Sequence, residues 1–320
     1  MLMQTPIWMW IAFISLILGF LILDLGFFHR KNREIQFKES LWMSAFYMAI
    51  ALLFGLWIWH MKGLNSFAEY MTGFLIEKSL ALDNIFLISL IFSALSIPLQ
   101  YQHRVLFWGI LGVIVMRAIM IGLGVHIMNR FEWVLYVFAV VMIVTGIKMF
   151  FVGHQPIDMS KNTLLIWMRR HLRVTNQLQD EKFYVHQIDP VSQTKKIFVT
   201  PLFIALIMVE FIDLVFAIDS IPAIFAITND AYIIYTSNIF AILGLRALYF
   251  ALAAIVKRFY YLKYALAAIL IFIGSKIFIA DFFEIGKVPP MISLGVTLTL
   301  LTAGILLSWK RNKTNVLSSQ

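Results

Sequence analysis

The sequence predicts an all-α polytopic membrane protein of about nine transmembrane helices, and three observations carry that prediction. Of the 320 residues, 61% are hydrophobic and only 13% charged, with a mean hydropathy of +0.86; a soluble domain is nearer half apolar and a quarter charged. Apolar runs of about 20 residues, enough to cross a hydrocarbon layer some 30 Å thick, recur along the chain. Lys and Arg gather in alternate connections between these runs, the pattern that fixes orientation in a bilayer.

The nine runs lie near 6–28, 41–60, 68–97, 103–128, 132–152, 199–226, 231–256, 263–283 and 289–309. The first lacks a basic n-region and a small-residue cleavage site, so it reads as a span and not as a cleaved signal. Segments 29–40 (HRKNREIQFKES), 153–198, 257–263 (KRFYYLK) and 310–313 (KRNK), with Arg104, place their bases on one side, against Lys62, Arg130 and Lys287 on the other. The expected topology is N-terminus outside, C-terminus and 153–198 loop in the cytoplasm. The net charge of +9 is then a topology signal, and no nucleic acid partner is expected. With no Cys in the sequence, disulfides and thiolate metal sites are excluded.

The long loop divides into LLIWMRRHLR (164–173), expected to be an amphipathic helix on the inner leaflet, and KFYVHQIDPVSQTKKIFV (182–199), expected to be a short hairpin. About 46 residues do not build a large independent domain, so the loop is assigned a packing or regulatory role.

A diverged repeat runs through the rest. EKSLALDN (77–84) matches DLVFAIDS (213–220), GILGVIVMR (109–117) matches AILGLR (241–246), and TGIKMF (145–150) matches IGSKIF (273–278). The expected organisation is two N-terminal helices (1–67), a three-helix unit (68–152), the cytoplasmic loop (153–198), a second, inverted three-helix unit (199–283), and a last helix with its tail (284–320). Inverted repeats carrying polar residues near the midplane are the recurrent plan of secondary transporters.

Charges inside such spans are costly and mark function by default. The acids are Asp24, Glu77, Asp83, Glu210, Asp213 and Asp219; the bases are Lys78, Arg117, Lys148, Arg246 and Lys276. Asp24 stands near Arg30 and Lys31, where an ion pair explains it equally well. The other five acids crowd into two short segments beside Ser79, Asn84 and Ser220. Dense buried carboxylates repel unless protonated or joined by a cation, and an oxygen-rich set suits a hard divalent ion such as Mg²⁺, Mn²⁺ or Ca²⁺. The histidines sit at span ends and in loops, which argues against a dedicated zinc or copper site. We therefore expect a metal-handling set of Glu77, Asp83, Asn84, Glu210, Asp213 and Asp219. Lys78, Ser79, Ser220, Asn238, Arg117, Arg246, Lys148 and Lys276 stand around it as supporting groups or ion-pair partners. Antiparallel packing sets Glu77 level with Asp219 and Asp83 level with Asp213, and Pro222 is expected to break its helix and free backbone carbonyls.

The segments GFLIEKSLALDNIF (73–86), VEFIDLVFAIDSIPAIFAIT (209–228) and SNIFAILGLRALYF (237–250) resemble the TerC/Alx family of bacterial membrane proteins, a relative of the LysE exporters. The resemblance runs from Asp24-Leu25 to the last span, and the basic loop with its F-x-V…T-P ending is similar to the Alx branch. It implies an inner-membrane protein, a tellurium-resistance association by family name, and export of Mn²⁺ linked to alkaline pH. It also implies that Glu77, Asp83, Asn84, Glu210, Asp213 and Asp219 occupy the metal-handling positions. Mn²⁺ is then substrate, no tightly bound cofactor is expected, and protons are a candidate counter-ion. The competing reading is a membrane anchor that recruits stress-response partners through its loop. An enzyme is not expected: H-E-x-x-H, G-x-G-D, kinase, Rossmann and P-loop motifs do not occur.

Overall fold

Residues 5–28, 37–131, 133–151, 163–175, 178, 180–188, 194–252, 261–282 and 289–318 are described by the structure, a computed structural model. Within them, some side chains lie outside the described set, including those of Asp24, Asp83, Asp219 and Arg246. Much of the basic segments 29–40 and 257–263, and the first part of the long loop, also fall outside it.

The elements are α1 (Ile7–Phe28), α2 (Phe37–Lys62), α3 (Leu64–Ala94), α4 (Leu99–Arg130), α5 (Val134–Phe151), α6 (Thr163–His171), β1 (Tyr184–Ile188), β2 (Lys195–Val199), α7 (Pro201–Phe225), α8 (Ala231–Leu243), α9 (Leu245–Leu252), α10 (Leu262–Phe282) and α11 (Pro290–Ser318). Every one of the nine apolar runs holds helix. Six described segments are long and apolar enough to cross a membrane: Lys38–Lys62, Leu99–Met128, Val134–Phe151, Pro201–Phe225, Leu262–Ile279 and Pro290–Lys310. Ile7–Ile22 and Ala231–Leu243 are shorter apolar helices, and α3 is long but carries Glu69, Glu77, Lys78 and Asp83. Polarity is turned inside out, as lipid demands: Trp42, Phe151 and Trp309 lie open on the outside, while Arg117, Glu77, Asp213 and Asn238 are sealed within.

Two expectations about helix breaks are corrected. The run 231–256 is not one helix, because Gly244 separates α8 from α9. A Cβ on Gly244 would stand 2.7 Å from the Lys78 ammonium, which donates to the Ala241 carbonyl at 3.1 Å. A carbonyl in the last turn of a helix has no partner within it and favours a cation, so Lys78 caps α8. Pro222, conversely, does not break α7, which continues to Phe225. The proline ring supplies no N–H to the turn before it, but the helix ends only three residues later.

Helix α3 packs against α2, α7, α8 and α11, and the partnerships around it come in matched sets. Contact α3–α8 has a counterpart in α7–α4, and α5–α7 in α10–α3, while α3–α7, α4–α8 and α5–α10 each join residues 64–151 to residues 201–282. The α5–α10 contact is reciprocal in detail. A Cβ on Gly146 would meet the Ala267 carbonyl at 2.8 Å and Ile271 at 2.7 Å; one on Gly274 would meet the Ala139 carbonyl at 2.7 Å and Ile143 at 2.8 Å. Each glycine thus faces the residues seven and three places before the other. Only a residue without a side chain lets two membrane helices approach so closely.

The segment between α5 and α7 forms the expected small unit. α6 buries Leu165 and Met168 against Leu202, Ile204 and Ile88 and leaves Ile166 and Trp167 exposed. Strands β1 and β2 pair antiparallel, Tyr184 opposite Val199. Arg104 ties this unit to the start of α4, bonding Glu181 at 3.1 Å and lying over the Phe183 ring. Only Thr200 separates β2 from α7, and Pro201 opens that helix at a position where its missing N–H costs nothing.

Candidate functional site

Two antiparallel helices, α3 and α7, set the site's axis. Glu77 of α3 and the Ser220 hydroxyl of α7 meet on one nitrogen of Arg117, and the Asn84 amide of α3 donates to Asp213 Oδ1 of α7 at 3.4 Å. The first acid of each repeated segment therefore meets the small polar residue that closes the other. This register lies one residue from the expected pairing of acid with acid. A single residue turns a helix by roughly 100°, so the side chains of Asn84 and Ser220 leave their helices in directions of their own.

Arg117 of α4 closes the arrangement into a ring. Its Nη1 lies 2.6 Å from Glu77 Oε1, and its Nη2 and Nε each lie 3.3 Å from an oxygen of Asp213. Nη1 also donates to Ser220 Oγ at 3.1 Å and to Asn238 Oδ1 at 2.9 Å. Asn238, on α8, returns a bond from Nδ2 to Glu77 Oε2 at 3.2 Å. Its neighbours Thr236 and Ser237 satisfy their hydroxyls on carbonyls of their own helix, so of these three polar residues only Asn238 reaches across. Arg117 is 1% exposed and Asn238 0%. With both acids ionised the ring holds one net negative charge. A buried pair persists only when its remaining donors and acceptors are also met, and the planar guanidinium fork is suited to that.

Beside the ring lies a cavity of about 20 Å³ bounded by Asn84, Asp213, Ile88, Gly109, Val113 and Leu245, among others. That is room for one water-sized occupant. Among the described residues Asn84 Oδ1 is buried without a hydrogen-bond partner, and Asn84 forms part of the cavity wall.

Of the other expected residues with described side chains, none bonds within the ring, though Glu210 lies near enough to Asp213 for their charges to repel. Glu210 is half-buried, and its carboxylate packs against Gly112 so closely that a Cβ there would overlap it. Ser79 donates to Leu75 O within its own helix, and Lys78 caps α8. Lys148 is exposed on α5. Lys276 is buried but donates to Ser293 Oγ at 3.2 Å, away from the ring. Asp83, Asp219 and Arg246 lie on α3, α7 and α9, with side chains outside the described set. Among the described residues no three Asp, Glu or His side chains are grouped to hold a metal. Glu77 and Asp213 converge across α3 and α7, and a base joins them. Sequence reasoning placed Arg117 and Asn238 at the periphery, and the structure puts both in the centre. The one signal available for Asn238 was an amide in a strongly apolar helix, a group that must find a partner when buried.

A family profile described as "Integral membrane protein TerC family" matches residues 62–315. The chain belongs to the TerC family. This TerC-family protein is 56% identical to an uncharacterized membrane protein of Rickettsia bellii over 299 residues, 93% of this chain and 96% of that one. It is 46% identical to a membrane protein of Myxococcus xanthus over 300 residues, 94% and 91% of the two chains. A relative from Salmonella typhi, named as a candidate membrane-bound redox modulator, Alx, is 41% identical over 313 residues, 95% and 94%. No solved structure matches this TerC-family chain. The family, and six helices among the described residues long and apolar enough to cross a membrane, make it an integral, multi-pass membrane protein.

Proposed function

We propose that this protein is a secondary transporter that exports Mn²⁺ from the cytoplasm through its intramembrane carboxylates. In this reading all nine helical runs cross the bacterial inner membrane, with the N-terminus outside and the C-terminus in the cytoplasm. The three-helix unit α3–α5 and the unit α7–α10, in which α8 and α9 together stand for one span, are inverted copies. The matched packing partnerships and the reciprocal glycines of α5 and α10 support that symmetry.

The observation that carries the proposal is the ring of Glu77, Asp213 and Arg117, contributed by both triplets and buried at their shared axis. Two carboxyl groups buried among apolar helices are an expensive feature for mere packing, and they are of the type a hard divalent ion prefers. Asn84, Glu210, Asp83 and Asp219 extend the oxygen set along α3 and α7. The choice of Mn²⁺ over Ca²⁺ or Mg²⁺ rests on the family resemblance. The sequence contains no cysteine, so a redox effect like that in the Alx relative's name would act through the cargo and not through a thiol of this chain.

Reconstitution in liposomes with an entrapped metal-sensitive dye tests this directly. Wild type is expected to move Mn²⁺ in preference to Ca²⁺ and Mg²⁺. A pH gradient is expected to drive that flux, since metal binding to carboxylates competes with protons. Asp213→Asn is expected to abolish it at equal incorporation. Unchanged flux in that variant would overturn the proposal.

A further inference from the structure

We infer that Arg117 is a built-in substitute for the cargo: its guanidinium occupies the Glu77–Asp213 pair when the carrier is empty, and an arriving divalent cation must displace it. The inference rests on the transport reading above and assigns a role that the reading leaves open.

The geometry places one cationic group on both acids at once, at 2.6 Å and 3.3 Å. A divalent ion bound to the same oxygens with the guanidinium still in place would bring three positive charges against two negative ones in a buried site, and like charges so placed repel strongly. The two occupants are therefore mutually exclusive. Arginine keeps its charge at any working pH, so the exclusion cannot be relieved by losing a proton. The side chain has somewhere to go. Nη1 already donates to the neutral oxygens of Ser220 and Asn238, which can retain it after the carboxylates are given up. The cavity beside Asp213, with Asn84 in its wall, adjoins the carboxylate the guanidinium would release.

The consequence concerns the return of the empty carrier. With Arg117 in the ring, uptake of one proton leaves the empty form neutral; without it, the pair must take up two protons or pass through the transition with uncompensated charge. Loaded carriers do not meet this difficulty, because the cargo itself neutralises the pair.

The test uses the full-length purified protein and its proteoliposomes, with Mn²⁺ as the probe and Lys148→Ala as an exposed control. Arg117→Gln is expected to bind Mn²⁺ at least about tenfold more tightly than wild type, since the internal competitor is gone. It is also expected to retain Mn²⁺–Mn²⁺ exchange while losing net Mn²⁺ flux. Arg117→Lys should restore net flux in part while binding more tightly than wild type, because a single ammonium cannot fork both carboxylates. If Arg117→Gln binds no tighter, or loses exchange along with net flux, Arg117 is a structural brace and the inference fails. Should the glutamine variant not survive extraction, Arg117→Lys alone decides: tighter binding supports the inference, and equal or weaker binding overturns it. If wild type itself neither binds nor moves Mn²⁺, it is the transport reading that falls.

Discussion

The Asn238 amide donates to Glu77 at 3.2 Å while the Asn238 carbonyl oxygen accepts from Arg117 at 2.9 Å. One side chain of α8 thus holds the acid of α3 and the base of α4 in fixed relation. Replacing it with leucine, of similar size, removes both bonds and leaves two charged groups short of a partner. Each buried group left unmet costs about 1–3 kcal/mol. Asn238→Leu is therefore expected to lower the unfolding temperature of the detergent-solubilised protein clearly, and Asn238→Ser, which keeps a hydroxyl, to lower it less.

Gly112 gives Glu210 its place. A Cβ at that position would overlap the Glu210 carboxylate, but the obstructed group is the mobile end of a long side chain, so the helices need not move. Gly112→Ala is expected to fold with near-normal thermal stability and to show altered Mn²⁺ flux. A variant that unfolds instead would mean that α4 and α7 themselves cannot separate.

At Gly146 and Gly274 the obstruction is backbone. The methyl of alanine would stand 2.8 Å and 2.7 Å from carbonyl oxygens of the partner helix, which cannot rotate away. Overpacking of this kind typically costs about 1–3 kcal/mol. Gly146→Ala and Gly274→Ala are expected to lower thermal stability by similar amounts, since the two contacts mirror each other. The double variant should show less than the sum, because one separation of α5 from α10 relieves both.

Lys148 and Lys276 hold equivalent places in the repeated G-x-K-x-F segments, yet they meet different surroundings. Lys148 is exposed, and Lys148→Ala is expected to leave stability and flux unchanged. Lys276 is buried on Ser293, and Lys276→Ala is expected to weaken the α10–α11 packing, seen as a lower unfolding temperature with transport retained in the surviving fraction.

These residues also mark the boundary of what the sequence discloses. Helix positions were legible because hydropathy must persist over the thickness of a bilayer, and the hairpin at 184–199 because β-branched and aromatic residues flank a turn. The break at Gly244 was not, since it depends on Lys78 arriving from another helix. The acids were legible as a group, but the meeting of Asp213 with Asn84 was not. Rise along a helix predicts which residues stand level, whereas direction around it decides which ones touch. Arg117, Lys148 and Lys276 are alike as bases in apolar runs, and only the packing of neighbouring helices reveals that the first is central, the second outside and the third elsewhere.

The 2.6 Å bond between Arg117 and Glu77 bears on how the chain is made. A lone arginine at mid-bilayer resists insertion by about 2.5–3.5 kcal/mol. Its partners Asp213 and Asn238 are synthesised well after it, but Glu77 belongs to the helix that emerges just before. Helices α3 and α4 are consecutive in the chain, so a hairpin of these two can enter the bilayer with its charges already matched, before α7 and α8 are made.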